Sequence, residues 1–115
     1  MRYSLKAPSP QIARAFSADA GPDPWGGGDP QVGEFAPVVT RGGKSGRRVI
    51  RPMHWGYPPP GQPVESFGLG PPRWVASVRN LESPYWIGNL RHSELRCLIP
   101  ATHFESGTGK QRRWY

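Results

Sequence analysis

Proline and glycine limit what this chain can fold into more strongly than any other feature of the sequence. The 115 residues include 15 glycines and 15 prolines. Proline lacks a backbone donor and glycine loses much backbone entropy on folding, so both interrupt helices and strand interiors. We therefore expect short helices and strands joined by long loops, in one small domain over residues 1–115.

The charge of the chain indicates which partners to consider. The sequence contains fifteen Lys and Arg residues and eight Asp and Glu residues, which gives a formal net charge of +7. Such an excess attracts polyanions through counterion release, so nucleic acid is the first candidate, although a basic protein without a nucleic-acid partner fits the charge equally well. No stretch approaches the roughly 18 apolar residues of a membrane span, and no apolar signal core follows the start. We expect a cytoplasmic protein with no membrane partner.

Cysteine and histidine offer little for metal or thiol chemistry. Cys97 is the only cysteine, which excludes an internal disulfide and a cysteine-rich zinc site. His54, His92 and His103 show no paired ligand spacing, so we predict no metal and no cofactor. Cys97 stands next to an apolar run, which favours a buried small hydrophobic residue over a nucleophile.

The first predicted element is a short amphipathic helix over Ser9–Ala20, where apolar residues recur at near-helical spacing. Gly21 should end it. Residues 21–33 contain too many turn-forming residues for a regular element, so we expect an irregular loop anchored by Trp25.

A β-hairpin is predicted next. Phe35–Thr40 and Arg47–His54 are strand candidates separated by the turn Arg41–Gly46. Within that turn, Gly42-Gly43-Lys44-Ser45 is similar to part of a phosphate-binding loop. Val38 occupies the place of the first glycine which that motif requires, so the hairpin turn is the preferred interpretation.

The later part of the chain alternates turn-rich and apolar segments. We predict a turn-rich segment over Tyr57–Pro72, a strand over Trp74–Arg79, a short helix beginning after Ser83, a buried strand over Arg96–Pro100 and a strand over Lys110–Tyr115. The last strand should lack partners within the sequence.

Tryptophans and arginines alternate through the second half of the chain. Planar rings that stack on bases and arginines that hold phosphates are typical of proteins that bind single-stranded nucleic acid. The competing interpretation is that the tryptophans fill a small core. The residues concerned are Trp55, Trp74, Trp86 and Trp114, with Arg51, Arg73, Arg79 and Arg113.

Four segments, taken in order, resemble the SRAP family, named for SOS-response-associated peptidases. They are the opening Arg2-Tyr3-Ser4-Leu5, the Trp-Gly segment Met53-His54-Trp55-Gly56-Tyr57-Pro58, the block Ser77-Val78-Arg79-Asn80 with the following Ser83-Pro84-Tyr85-Trp86, and Arg96-Cys97-Leu98-Ile99-Pro100-Ala101 with Phe104-Glu105 and Lys110 to Tyr115. Together they span nearly the whole chain and match the front half of the family domain.

The resemblance implies a mostly β, barrel-like α+β domain that is incomplete at its carboxyl end. It implies binding of single-stranded DNA and a covalent protein-DNA link at abasic sites. In the family, an amino-terminal cysteine condenses with the sugar aldehyde while a glutamate moves protons. Carried over, Glu105 is the candidate catalytic residue, and Arg2, Arg79, Trp55 and Ser77 are the candidate DNA-binding residues.

This sequence departs from the family pattern at several of these positions. Arg2 follows Met1 directly, so the family cysteine has no counterpart, and Ser77 replaces an asparagine that orients the sugar. Glu105 follows Phe104 with one residue fewer than the family has, and the family's later histidine has no match. We therefore expect impaired catalysis. The alternatives are a non-enzymatic remnant that folds poorly and a basic module for single-stranded nucleic acid, including RNA.

Overall fold

The strands and helices of this chain are short and widely spaced, as its proline and glycine content requires. The computed structural model describes residues 2–57 and 74–115. Within them the strands are β1 (Arg2–Ser4), β2 (Phe35–Arg41), β3 (Arg48–His54), β4 (His103–Ser106) and β5 (Arg113–Trp114). The helices are α1 (Ser9–Phe16) and α2 (Pro84–Leu90), with single 3-10 turns at Ser93–Leu95 and Gly109–Gln111. The fold is a small α+β arrangement.

The predicted hairpin is confirmed as the antiparallel pair β2–β3, which runs from Phe35 opposite His54 to Arg41 opposite Arg48. Two prolines, Pro37 and Pro52, face each other in its middle. The register makes this possible: the amides of Val39 and Ile50, two pairs further along, donate away from each other, to Leu98 and Asp19. In an antiparallel pair, positions two residues apart direct their amides the same way. The backbone nitrogens of Pro37 and Pro52 therefore also point away from the partner strand, where no donor is needed for the β2–β3 hydrogen bonds.

The second sheet is three-stranded, in the order β1-β4-β5, and all of its pairs are antiparallel. Arg2 lies opposite Glu105, and Glu105 lies opposite Trp114. The prediction that the last strand has no partner in the chain is wrong, because β5 pairs with β4. Residues about a hundred positions apart are thereby brought side by side.

The core lies between the hairpin, α1 and β1. The buried side chains are Tyr3, Leu5, Ile12, Ala13, Ala36, Val39 and Ile50. Helix α1 is confirmed but ends at Phe16, earlier than predicted, because Ser17 takes the left-handed conformation and the amide of Ala18 donates to the carbonyl of Ala13.

Trp25 anchors the loop at 21–33, as predicted. Its indole Nε1 donates to the carbonyl of Leu5 at 3.3 Å. Leu5 and Gly28 also exchange two backbone hydrogen bonds, each 2.8 Å long. The loop is therefore held against the end of β1, on the side where that strand enters the core.

Two predicted strands are wrong. Trp74–Arg79 contributes only a single bridge, between Val75 and Tyr57, and Arg96–Pro100 only a single bridge, between Leu98 and Val39. The second segment is also not buried, since Leu98 and Ile99 are 58 % and 53 % exposed. An apolar run predicts a buried strand only if other elements cover it, and the described residues do not cover this one.

Other expectations are met in part. Helix α2 begins at Pro84 after Ser83, as predicted, although the Ser83 side chain makes no capping hydrogen bond. Over the described ranges the two sheets remain separate and do not close into a barrel. Most of the predicted turn-rich segment Tyr57–Pro72 lies outside the described residues.

Candidate anion-binding site at Arg2 and Glu105

An ion pair between β1 and β4 is the centre of the site. Arg2 Nε donates to Glu105 Oε2 at 2.5 Å. The Glu105 residue is 4 % exposed, whereas the Arg2 side chain is 56 % exposed. The carboxylate is thus held inside the sheet while the guanidinium remains accessible to a ligand.

Positive groups on two sides keep Glu105 ionised. The hydrogen bond from Arg2 lowers the pKa of this carboxyl group, with further attraction from the charges of Arg2 and Arg112, and these effects outweigh the opposing effect of burial. Arg112 Nε lies 3.7 Å from the other carboxylate oxygen. The same contact raises the pKa of Arg2. The pair is therefore fully charged at neutral pH.

An aromatic ring completes the support of Arg2. Trp114 lies opposite Glu105 on β5, and the guanidinium carbon of Arg2 is 5.6 Å from the centre of its ring. Trp114 is 50 % exposed, so the ring also offers surface to solvent. Arg2 is fixed by a carboxylate and a cation–π contact at once.

A cavity of about 360 Å³ opens beside this cluster. Its walls include Lys6, which is paired with Asp29 at 3.0 Å. Asp29 lines the cavity as well, and the other lining residues are Arg2, Tyr3, Ser4, Gln31, His103 and Trp114. Glu105 does not line the cavity, but it holds Arg2, which does. The arrangement is suited to an anionic ligand of nucleotide size, with cations and a ring at the wall.

The structure brings together two of the five predicted site residues, Arg2 and Glu105. Trp55 packs edge-to-face on Tyr3, with ring centroids 5.0 Å apart, and lies against the core. Ser77 and Arg79 are exposed on the segment after Trp74 and do not line the cavity. Their DNA-binding roles stay predictions.

Sequence reasoning missed Lys6, His103 and Arg112 as members of the site, and it gave Trp114 no defined partner. No local signal could identify them, because β1 and β4–β5 meet only through long-range pairing. One weak signal existed for Glu105 itself: a lone acid between two apolar or basic strand segments needs a cationic partner if it is buried.

The thiol of Cys97 was predicted to be buried, which is wrong: the residue is exposed. Burial of the sulfur is nevertheless sufficient to raise the pKa of the thiol. A raised pKa reduces the thiolate fraction at neutral pH, and the absence of a catalytic role for Cys97 stays a prediction.

In the part of the chain that the structure describes, no group of three or more His, Cys, Asp or Glu side chains is placed to hold a metal ion. The described helices are also too short and too polar to cross a membrane.

We expect Glu105 to make the stability of the fold depend on acidic pH. Its pKa is lower in the folded state than the ordinary value of 4.5, so its contribution is present above that value and is lost as pH falls through the folded-state pKa. Glu105→Gln should therefore melt at a lower temperature than the wild type at pH 7, and the gap should be smaller at about pH 3, where the carboxylate begins to be protonated. Thermal melts at both pH values test this.

The exposed Glu82, which forms no ion pair with a described residue, provides the control. Glu82→Gln should leave the melting temperature unchanged at both pH values. A Glu105→Gln gap that is equally large at neutral and acidic pH would show that the carboxylate charge does not stabilise the sheet.

Comparison with models of known families, with curated proteins and with solved structures found no significant match to this chain.

Proposed function

We propose that this chain binds single-stranded DNA at abasic sites, the function that its resemblance to the SRAP family implies. The observation that carries the proposal is the Arg2 guanidinium, held by the buried Glu105 and left half exposed at the wall of the cavity. A preorganised arginine binds phosphate with little loss of side-chain entropy.

The remaining walls of the cavity fit a sugar-phosphate flanked by a base. Lys6, although paired with Asp29 in the same wall, is a second exposed cation, and the half-exposed ring of Trp114 offers a face on which a neighbouring base can stack. At an abasic position the sugar-phosphate has no base to accommodate. In this proposal the exposed Arg79 and Ser77 contact the strand outside the cavity, and Trp55 supports the core.

The proposal is for binding without a covalent link. A charged Glu105 can accept a proton but has none to donate at neutral pH, and Arg2 stands between it and the cavity. The only thiol of the chain, Cys97, has a raised pKa. We infer that Glu105 acts here by positioning Arg2.

Arg2→Gln should weaken binding to an abasic single strand by about tenfold at moderate salt, because it removes the cation that Glu105 and Trp114 orient. The affinity for labelled abasic and intact oligonucleotides of the same sequence, followed by fluorescence anisotropy, measures the effect. Arg14→Gln is the matched control, since Arg14 is exposed on α1 and does not line the cavity.

Three outcomes would count against the proposal. Equal affinity of the wild type for abasic and intact strands would favour the alternative, a basic module for single-stranded nucleic acid that is indifferent to base loss. If Arg2→Gln and Arg14→Gln lower the affinity equally, the cavity does not take part in DNA binding. A protein-DNA adduct that survives denaturation would show that the covalent step is present after all.

A further inference from the structure

The β2–β3 hairpin carries a concentration of positive charge that the Arg2 site does not use. Between Phe35 and Tyr57 the sequence contains no Asp or Glu. The same stretch contains five cations, all exposed: Arg41, Lys44, Arg47, Arg48 and Arg51. The excess positive charge of the chain is therefore strongly localised on one well-formed element.

Two of these cations are placed unfavourably for an isolated protein. Arg41 and Arg48 lie directly opposite each other across the strand pair. Like charges in this position repel and destabilise a hairpin. Arg48 is partly relieved because its Nη1 donates to the carbonyl of Phe16 at 3.0 Å. Among the described residues Arg41 has no acidic partner, so an anion bound between the strands would remove the repulsion.

A cleft of about 730 Å³ lies next to the hairpin, and its walls include Arg41, Arg51 and Arg96. Arg96 is held there by a hydrogen bond from its Nη2 to the carbonyl of Leu90. The lining residues also include one acid, Glu94, whose Oε1 lies 2.9 Å from His92 Nδ1, so the three arginines outnumber the acids in the cleft. A second cavity of about 270 Å³ shares Arg41 and Arg96 and adds Arg48.

The spacing of the cations indicates a repeating anion. Arg41 and Arg51 both line the cleft, and because Arg41 lies opposite Arg48, the two are offset by three residues along the strand pair, about 10 Å. Lys44 and Arg47 extend the charge further to the tip of the hairpin. A single phosphate group cannot span this distance, whereas the phosphate backbone of a nucleic acid presents charges at regular intervals along such a length.

We infer that the β2–β3 hairpin and the adjoining cleft form a second surface, which binds the phosphate backbone of a single-stranded nucleic acid. The surface recognises backbone charge, so it does not distinguish abasic from intact strands. The inference rests on the proposed function only for the ligand class, nucleic acid, and it is independent of any preference for abasic sites.

The test replaces two of the cations that line the cleft. Arg41→Gln/Arg51→Gln should weaken binding of the full chain to an intact, labelled single-stranded oligonucleotide by about tenfold. Loss of two phosphate contacts should also reduce the slope of log affinity against log salt by about 1.4 over roughly 50 to 200 mM salt. Affinity for an abasic strand should fall by the same factor.

Arg14→Gln/Arg91→Gln is the matched control, because it removes the same charge from exposed positions that do not line the cleft. It should leave the salt slope nearly unchanged. Folding is checked separately: removing Arg41 relieves the repulsion with Arg48, so the hairpin double variant should melt at or above the temperature of the wild type.

The possible results separate this inference from the proposed function. A hairpin variant that binds both strands as tightly as the control variant does would overturn the inference, even if a preference for abasic strands persists. If the wild type shows no abasic preference but the hairpin variant still loses affinity and salt dependence, the proposed function fails and the inference stands. Loss of affinity for only one of the two strands would contradict a backbone-binding role.

Discussion

Gly107→Ala is expected to destabilise the fold by about 3 kcal/mol or more, because two separate costs act at this position. Gly107 has φ of 110°, where residues with a Cβ are strained. A Cβ added here would also overlap the backbone carbonyl oxygen of Gln111, which cannot move away as a flexible side chain could. The free energy of unfolding from chemical denaturation measures the loss.

The consequence for the Arg2 site follows from chain order. Gly107 directly follows β4, which carries Glu105, and the residues after it lead into β5 and Trp114. If this turn opens, Trp114 leaves its place opposite Glu105 and the ring contact with Arg2 is lost. We therefore expect affinity for an abasic strand to fall together with stability.

Gly43→Ala is the matched control for this substitution. Gly43 lies at the tip of the hairpin, and a Cβ there meets no atom within 4 Å. Its replacement should change stability by less than about 1 kcal/mol in either direction. Similar losses in the two variants would mean that the β4–β5 turn does not have the geometry described.

Ile50→Ala is expected to cost about 2 to 5 kcal/mol, the usual range for truncating a large aliphatic side chain in a packed core. Ile50 is 4 % exposed and lies opposite Val39, where the hairpin meets the rest of the core. A domain of this size has only about 5 to 15 kcal/mol in total, so a large part of its stability would be lost. Thermal and denaturant unfolding both report this.

Ile87 on α2 offers the same substitution at an exposed position. Ile87 is 39 % exposed, and alanine is the better helix former. Ile87→Ala should therefore cost less than about 1 kcal/mol. If Ile87→Ala were as damaging as Ile50→Ala, the core would have to include α2, in disagreement with the packing described above.

Several local features were predictable because their causes lie in neighbouring residues. The hairpin follows from two apolar segments around a turn rich in glycine, and α1 follows from the spacing of Ile12, Ala13 and Phe16. The position of Pro84 at the start of α2 has the same local origin. The localisation of charge on the hairpin can also be read directly, since no acid interrupts residues 35–57.

The exact ends of the elements and the burial of single strands were not predictable in this way. The Arg96–Pro100 segment has the composition of a core strand, yet it forms one bridge and leaves Leu98 and Ile99 exposed. Composition reports the tendency of a side chain to leave water, and only the neighbouring elements decide whether it can do so.

What the sequence by itself determined is the chain's short, loop-separated elements, its basic character, its central hairpin and the identity of Arg2 and Glu105 as candidates. What only the tertiary structure decided is that these two residues form one site, with Trp114 and Lys6 beside them. The physical reason is that a buried carboxylate needs a cationic partner, and the chain supplies that partner from 103 residues away through strand pairing. The antiparallel register of β1 and β4, which no local sequence pattern encodes, places Arg2 opposite Glu105.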